Sequence, residues 1–306
     1  MSESRKVGLF LGFLRFCSKL PLPINHALGA SLGLIYVLFP SRDRHVVWVN
    51  LSIAFSQQSI RQRVLLLLSF FKELGKTLTE LGVIWLSEPT HLLSLIKEIA
   101  GQSYMDEALA KGKGVMLLTP HFGAWEVIGP YWSHQMPMTI LYQPPEQTEL
   151  APFVQQARER MGATLVPTDI SGVRALLSAL KKNQLAGILP DQDPGDNGGV
   201  FADFFAKPAH TMVLAGRLAN KSDASVLFTI CERLPWGQGY RMHLLPCDDA
   251  VHDKDPFISA TAMNHSLEAC VRVAPAQYIW NYKRWRQQPD GIDPYDMNKA
   301  ERGREE

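Results

Sequence analysis

The 306-residue chain has only four cysteines, Cys17, Cys231, Cys247 and Cys270, far apart and without a Cys-x-x-Cys. That excludes a disulfide scaffold and a cysteine-rich zinc module, and it leans towards a reducing compartment. An excess of either charge is also lacking. Lys plus Arg total 31 against 30 Asp plus Glu, leaving +1, which gives no case for a nucleic-acid binder. Internal repeats, low-complexity tracts and long linkers are missing too. A hydrophobic share of 46% with 20% charged residues excludes a disordered or wholly membrane-embedded chain. No proline-free apolar run reaches the roughly 20 residues of a spanning helix.

Charge is scarce locally as well. From Val7 to Phe39 the only formal charges are Arg15 and Lys19. A secretory signal does not fit, because Arg15, Lys19, Pro21 and Pro23 split the apolar part and no small-x-small cleavage site follows. The segment reads as two short apolar helices that dip into one leaflet. A single pass over Leu20–Phe39 and a hydrophobic hairpin of a soluble core are the rivals. In the membrane reading Arg5, Lys6, Arg15, Lys19, Arg42 and Arg44 meet a cytoplasmic headgroup layer. The organisation expected is residues 1–45 as apolar membrane-associated helices and 46–306 as an α/β domain. Gly29-Ala-Ser31-Leu-Gly33 matches the Gly-x-Ser-x-Gly pattern of a hydrolase elbow, but it lies in a helix-like run. Small residues for close helix packing are the better reading.

Beyond residue 45 the texture is alternating. Ser59–Leu86 has the period of an amphipathic helix, with Leu66, Phe70, Leu74, Leu78 and Leu81 on one stripe and Glu80 placed on the surface. Strands are predicted at Val115–Leu118, Met138–Tyr142, Thr164–Val166, Leu185–Leu189, Ser225–Glu232 and Tyr240–Leu245. Helices are predicted at Met105–Ala110, Leu150–Met161, Gly172–Leu180, Thr211–Ala219 and Pro256–Val273. The rhythm predicts an α/β fold with a mixed, largely parallel sheet flanked by helices.

Thr119-Pro-His121-Phe-Gly-Ala-Trp-Glu126 stands where the first of these strands ends, the end at which open α/β sheets bind ligands. Within one helix Glu126 would be rotated about 140° from His121. Pro120 keeps His121 in the turn before the helix, so Glu126 can turn back and accept its ring proton. A neutral His oriented by a carboxylate is a general base for an alcohol. Gly123 would admit a substrate carbonyl close to the backbone, with nearby N–H groups assisting an oxyanion. A chance salt bridge is the plain alternative. No metal site is expected: His-Glu-x-x-His is absent, and the Asp191–Gly195 turn is not a calcium loop.

His121-x4-Glu126 also resembles the His-x4-Asp/Glu signature of the glycerolipid acyltransferases, and specifically the late acyltransferases of lipid A assembly. Further blocks follow in order. Val49-Asn50-Leu-Ser-Ile-Ala-Phe55 is similar to an Asn-Leu-x3-Phe segment, and Tyr142-Gln143-Pro144 stands where a Tyr-Arg-Pro element is usual, with Gln in place of Arg. Arg158–Gly162, Ser171–Arg174 and Gly187–Asp193 match middle blocks. Phe204-Phe205-Ala206-Lys-Pro208-Ala209-His-Thr211 carries Ala206 where Gly is common. Gln277–Trp285 is similar to the closing block.

The resemblance implies acyl transfer from a thioester to a hydroxyl, with His121 as base, Glu126 holding its tautomer and Arg158 as oxyanion donor. Arg160, Arg174, Asp191, Asp193, Thr211, Lys283 and Arg284 join Gly123 as candidate substrate contacts. Asp191 and Asp193 could organise sugar hydroxyls or basic residues, or form a solvated turn. Lys283, Arg284 and Arg286 could meet acceptor phosphates or an acidic carrier, or be a solvated face. The implied partners are acyl-acyl-carrier protein as donor, a lipid A precursor as acceptor and inner-membrane lipids, with no dissociable cofactor and no nucleic acid. The implied place is the cytoplasmic face of a bacterial inner membrane. A lysophospholipid or aminolipid acyltransferase, a hydrolase, and a non-enzymatic membrane assembly protein are the alternatives.

Overall fold

A computed structural model describes residues 3–145, 147–195 and 198–296. Four helices come first: α1 (Glu3–Ser18), α2 (Leu22–Leu38), α3 (Arg42–Ala54) and α4 (Ile60–Leu86). The prolines that interrupt the apolar run mark a start. Pro21 is the cap residue of α2 and Pro23 lies in its first turn, where a missing N–H costs nothing. Ser59 caps α4 in a reciprocal box with Gln62.

Small residues then let the helices meet at backbone distance. A Cβ built at Gly33 would lie 1.8 Å from the Phe71 carbonyl oxygen, and one at Gly75 would lie 1.9 Å from that of Gly29. A Cβ at Gly82 would meet the Leu14 carbonyl oxygen at 2.2 Å. The Gly-x-Ser-x-Gly match is therefore a helix crossing, with the Ser31 hydroxyl returned to the Ala27 carbonyl.

This double contact corrects the stripe expected on α4. The buried face runs through Leu67, Phe71, Gly75, Thr79 and Val83, and Leu78 is exposed. Glu80, expected on the surface, is buried. Its carboxylate receives Arg233 Nε (3.0 and 2.9 Å) and Nη2 (2.6 Å), with His26 Nε2 at 3.2 Å and the Tyr240 hydroxyl at 3.3 Å.

The outer face of the first two helices stays apolar and exposed, at Leu9, Phe16, Ile24, Ile35, Leu38 and Phe39. Among the described residues no single helix is long and apolar enough to cross a membrane. Helices α2 and α3 meet that requirement only as a pair, and they are bent by 92°.

The sheet elements follow: α5 (Pro89–Ser94), β1 (Ile96–Ala100), α6 (Gln102–Ala110), β2 (Val115–Leu118), α7 (Ile128–Gln135) and β3 (Met138–Tyr142). Then come α8 (Ala151–Glu159), β4 (Thr164–Pro167), α9 (Ile170–Lys181) and β5 (Leu185–Ile188). The chain continues with β6 (Gly199–Phe204), β7 (Lys207–Met212), α10 (Leu214–Ser222), β8 (Ser225–Arg233), β9 (Tyr240–Pro246) and α11 (Pro256–Val273). Seven strands pair in the order β1-β9-β8-β2-β5-β3-β4. All neighbours are parallel except β8 and β9, so the sheet is mixed and largely parallel, as predicted.

Strand β2 sits at its centre with every residue buried, which is why it reads as a continuous apolar run. Two parts of the strand assignment differ from the sequence reading. Thr211 does not start a helix; it is the penultimate residue of β7, which pairs with β6 in a separate hairpin, and α10 begins at Leu214. Strand β1 was not expected. It is a half-exposed edge strand with Lys97 and Glu98 pointing outward.

Candidate active site

Strands β2 and β5 are parallel neighbours with Leu118 opposite Ile188, so the turns that follow them rise side by side. His121 comes from the first turn and Asp191 from the second. The Asp191 carboxylate, fully buried, accepts the His121 backbone N–H at 2.8 Å and faces the ring Nδ1 at 2.9 Å. A carboxylate can only accept, so Nδ1 is the donor to Asp191, and in the neutral ring Nε2 is then the nitrogen that can accept a proton. Gln192 Nε2 stands 3.5 Å from that nitrogen. The Ile279 N–H donates to the His121 carbonyl at 3.1 Å. Tyr278 bonds Asp191 from behind, and burial together with that carboxylate drives its phenol well above the usual range.

The pairing expected within the motif is thus corrected. The hydrogen-bond partner of His121 is Asp191, and Glu126 is joined to Arg158. Glu126 lies in a 3₁₀ turn before α7 and accepts Arg158 Nε at 3.0 Å, Nη2 at 2.5 Å and the Trp85 indole at 3.2 Å. Burial pushes this carboxyl up, but Arg158, the Trp85 bond and nearby His121 outweigh it and hold it below the usual carboxylate range. Glu126 is therefore a fixed anion. Arg158 projects from the last turn of α8 with its guanidinium 5.2 Å from the Tyr142 ring. It turns two nitrogens to Glu126 and keeps Nη1 outside that fork.

His121, Glu126, Arg158 and Asp193 line one cavity of about 570 Å³. Its lining combines polar side chains, among them Gln143, Thr168 and Gln192, with apolar ones, Met138, Ile140, Ile188 and Leu214. Asp193 reaches it while its Oδ1 meets His210 Nδ1 at 2.8 Å.

The other candidates lie elsewhere. Gly123 has φ +55°, and a Cβ there would lie 2.1 Å from the Cys231 carbonyl oxygen. Its N–H donates to the Gln277 carbonyl at 2.8 Å and its carbonyl accepts Arg233 Nη2 at 2.9 Å, so it docks the turn onto β8 and offers no oxyanion donor. Arg160 donates to the Ser87 and Ile84 carbonyls, closing the end of α4. Buried Arg284 donates to the His210 carbonyl at 2.6 Å and to the Thr211 hydroxyl at 2.7 Å, stacked over Phe204. Thr211 is itself buried and donates to Ala209. These contacts hold the β6–β7 hairpin. Arg174 is exposed on α9 outside the cavity, and Lys283 lines a neighbouring cleft. Trp85 and Tyr278 also belong to the site; Tyr278 lies in the Gln277–Trp285 block without being singled out there as a site residue, and nothing local in the sequence marks Trp85.

Comparison with known proteins gives a consistent picture. The family described as "Bacterial lipid A biosynthesis acyltransferase" matches residues 4–287. The chain is 28% identical over 285 residues to the lipid A biosynthesis lauroyltransferase of Escherichia coli K12, covering 93% of this chain and 92% of that one. It is 29% identical over 282 residues to the palmitoleoyltransferase of the same organism, with 92% and 91% covered. A lipid A biosynthesis acyltransferase of Haemophilus influenzae is 28% identical over 292 residues, with 94% and 91% covered.

The chain belongs to the bacterial lipid A biosynthesis acyltransferase family.

Proposed function

We propose that this chain transfers a fatty acyl group from acyl-acyl-carrier protein to a hydroxyl of a lipid A precursor, a late acylation at the cytoplasmic face of the inner membrane. The observation that carries the reading is the His121 ring at the wall of a cavity lined by both polar and apolar side chains, with the Asp191 carboxylate 2.9 Å from its Nδ1. The acyl chain lies along Met138, Ile140 and Leu214. The acceptor hydroxyl gives its proton to Nε2 as its oxygen attacks the thioester carbonyl, and Asp191 stabilises the imidazolium that forms. The tetrahedral oxyanion is met by the free edge of Arg158, which Glu126 keeps in place. Collapse breaks the carbon–sulfur bond, and the imidazolium returns the proton to the departing carrier thiol. No acyl-enzyme forms, and neither a metal nor a dissociable cofactor takes part.

Residues 1–45 contribute the lipid-facing part and 46–306 the catalytic part. The exposed apolar face of α1 and α2, with Arg5, Arg15 and Lys19 beside it, supports a one-leaflet contact rather than a crossing. The decisive experiment is intact-lipid mass spectrometry of a deletion strain. Lipid A lighter by one or two acyl chains is expected; unchanged lipid A with an altered phospholipid or aminolipid would move the acceptor to that class.

A further inference from the structure

Beside the catalytic cavity, and sharing Asp193 with it, lies a second cleft of about 750 Å³. Three distant parts of the chain build it: Arg42 and Asp43 at the start of α3, the Asp193–Gly195 turn, and the closing segment with Asn281, Lys283 and Arg286. Arg42 and Arg286 are exposed. Lys283 is half-buried, its Nζ 5.3 Å from the Tyr295 ring. None of these three cations forms an ion pair among the described residues. The two carboxylates of the cleft are engaged elsewhere: Asp43 accepts the Tyr36 hydroxyl at 3.3 Å, and Asp193 Oδ1 accepts Gly195 N–H at 2.9 Å and faces His210. Asn281 adds a buried Oδ1 with no hydrogen-bond partner, a position that a donor from a ligand would stabilise.

We infer that this cleft is a phosphosugar subsite. Phosphate oxygens meet Arg42, Lys283 and Arg286, and a sugar hydroxyl donates to Asn281 Oδ1. The inference rests on the proposed acceptor, because a phosphorylated glycolipid held here has its headgroup next to the space that His121 faces. An acidic protein surface fits less well. Its carboxylates are acceptors and leave Asn281 Oδ1 unpaired, whereas a phosphosugar brings anionic oxygens and hydroxyl donors together. Arg284 takes no part, since its guanidinium is turned into the hairpin.

The test is steady-state kinetics of Arg42→Gln/Lys283→Gln against wild type, with phosphorylated lipid A precursor and with the same lipid after phosphatase treatment. Losing two charge-assisted contacts should raise the acceptor KM by about tenfold or more, with the KM for the acyl-carrier thioester unchanged. Removing the phosphate should raise the wild-type KM similarly and shrink the difference between the two proteins. An unchanged acceptor KM, an equal loss on the dephosphorylated lipid, or a rise in donor KM instead would each overturn the inference; the last would give the cleft to the carrier.

Calorimetric titration with glucose 1-phosphate reads the cleft without any acyl transfer. Binding by wild type that the double variant loses supports the subsite even if the proposed acceptor proves wrong. Binding of glucose 1-phosphate with no phosphate dependence of the acceptor KM would overturn the lipid headgroup in favour of a free phosphosugar.

Discussion

His121 and Asp191 stand at equivalent places, each three residues beyond one of the paired residues Leu118 and Ile188 of neighbouring parallel strands. Their contact is a product of strand register. Both oxygens of Asp191 are directed at the same residue, one at its backbone and one at its ring. The turn and the tautomer are fixed together.

Asp191→Asn should keep the fold and lower kcat by about 10³–10⁴, because an amide can donate to Nδ1 and turn the proton to the wrong nitrogen. His121→Ala should lose a comparable factor. Single-turnover acyl transfer, with circular dichroism as the folding control, measures both. Full activity in either variant would remove the proposed base.

Glu126→Gln leaves Arg158 without its counter-charge. A loss of about 1.5–3 kcal/mol in stability is expected from the weakened charged bonds, together with a lower kcat as the guanidinium moves. Arg158→Lys should not restore activity, since a single ammonium cannot span both carboxylate oxygens while presenting a third donor. Urea unfolding and kcat in the two variants report on this.

Glu80 gives a pH signature. Burial raises its carboxyl, but Arg233 and His26 overcome that and depress it. A carboxyl depressed in the folded state contributes stability above its unfolded value of about 4.3, and that stability is lost as pH falls through the lower folded value. Glu126 acts in the same sense. Acid should therefore destabilise the protein below about pH 4.3, and Glu80→Gln should flatten that limb while costing about 3–5 kcal/mol at neutral pH by leaving Arg233 buried and unpaired. Urea midpoints across that range are the measurement.

Arg284→Gln should appear as instability: about 3 kcal/mol lost at the β6–β7 hairpin, with acceptor KM unmoved at temperatures where the protein is folded. A selective rise in KM would return Arg284 to the substrate.

Ala206 lies in the β6–β7 turn at φ +58°, in the left-handed region that costs an L-residue roughly 1–2 kcal/mol. That geometry explains why glycine is usual in this motif. Ala206→Gly should be neutral or raise stability by up to about 1 kcal/mol, after the chain-entropy cost of glycine is subtracted. Thermal melts would show it.

Much of the fold is legible because punctuation coincides with periodicity. Asp255 and Pro256 open α11, the Ser59–Gln62 box opens α4, and the apolar block Met138–Tyr142 coincides with β3. The β6–β7 hairpin escaped because its turn, Phe205-Ala206, has none of the usual turn residues although both adopt positive φ. In the site, the local elements were legible and the pairing was not. His121 and Glu126 announce themselves by spacing, whereas Asp191 is 70 positions from its partner and Arg158 is 32 from Glu126. Only the register of β2 on β5 and the packing of α8 bring these together. The same holds for Glu80, whose place on a helix wheel looks solvated until α2 and β8 close over it.

The glycine crossing between α2 and α4 bears on how the protein can be handled. Deleting residues 1–40 to obtain a lipid-free catalytic fragment would uncover a bare glycine groove on α4. It would also strip His26 from Glu80, whose partner Arg233 grips the Gly123 carbonyl two residues from His121. The N-terminal helices are in this sense part of the chassis of the α/β fold. Preparations of the full chain are the sound route to an active sample.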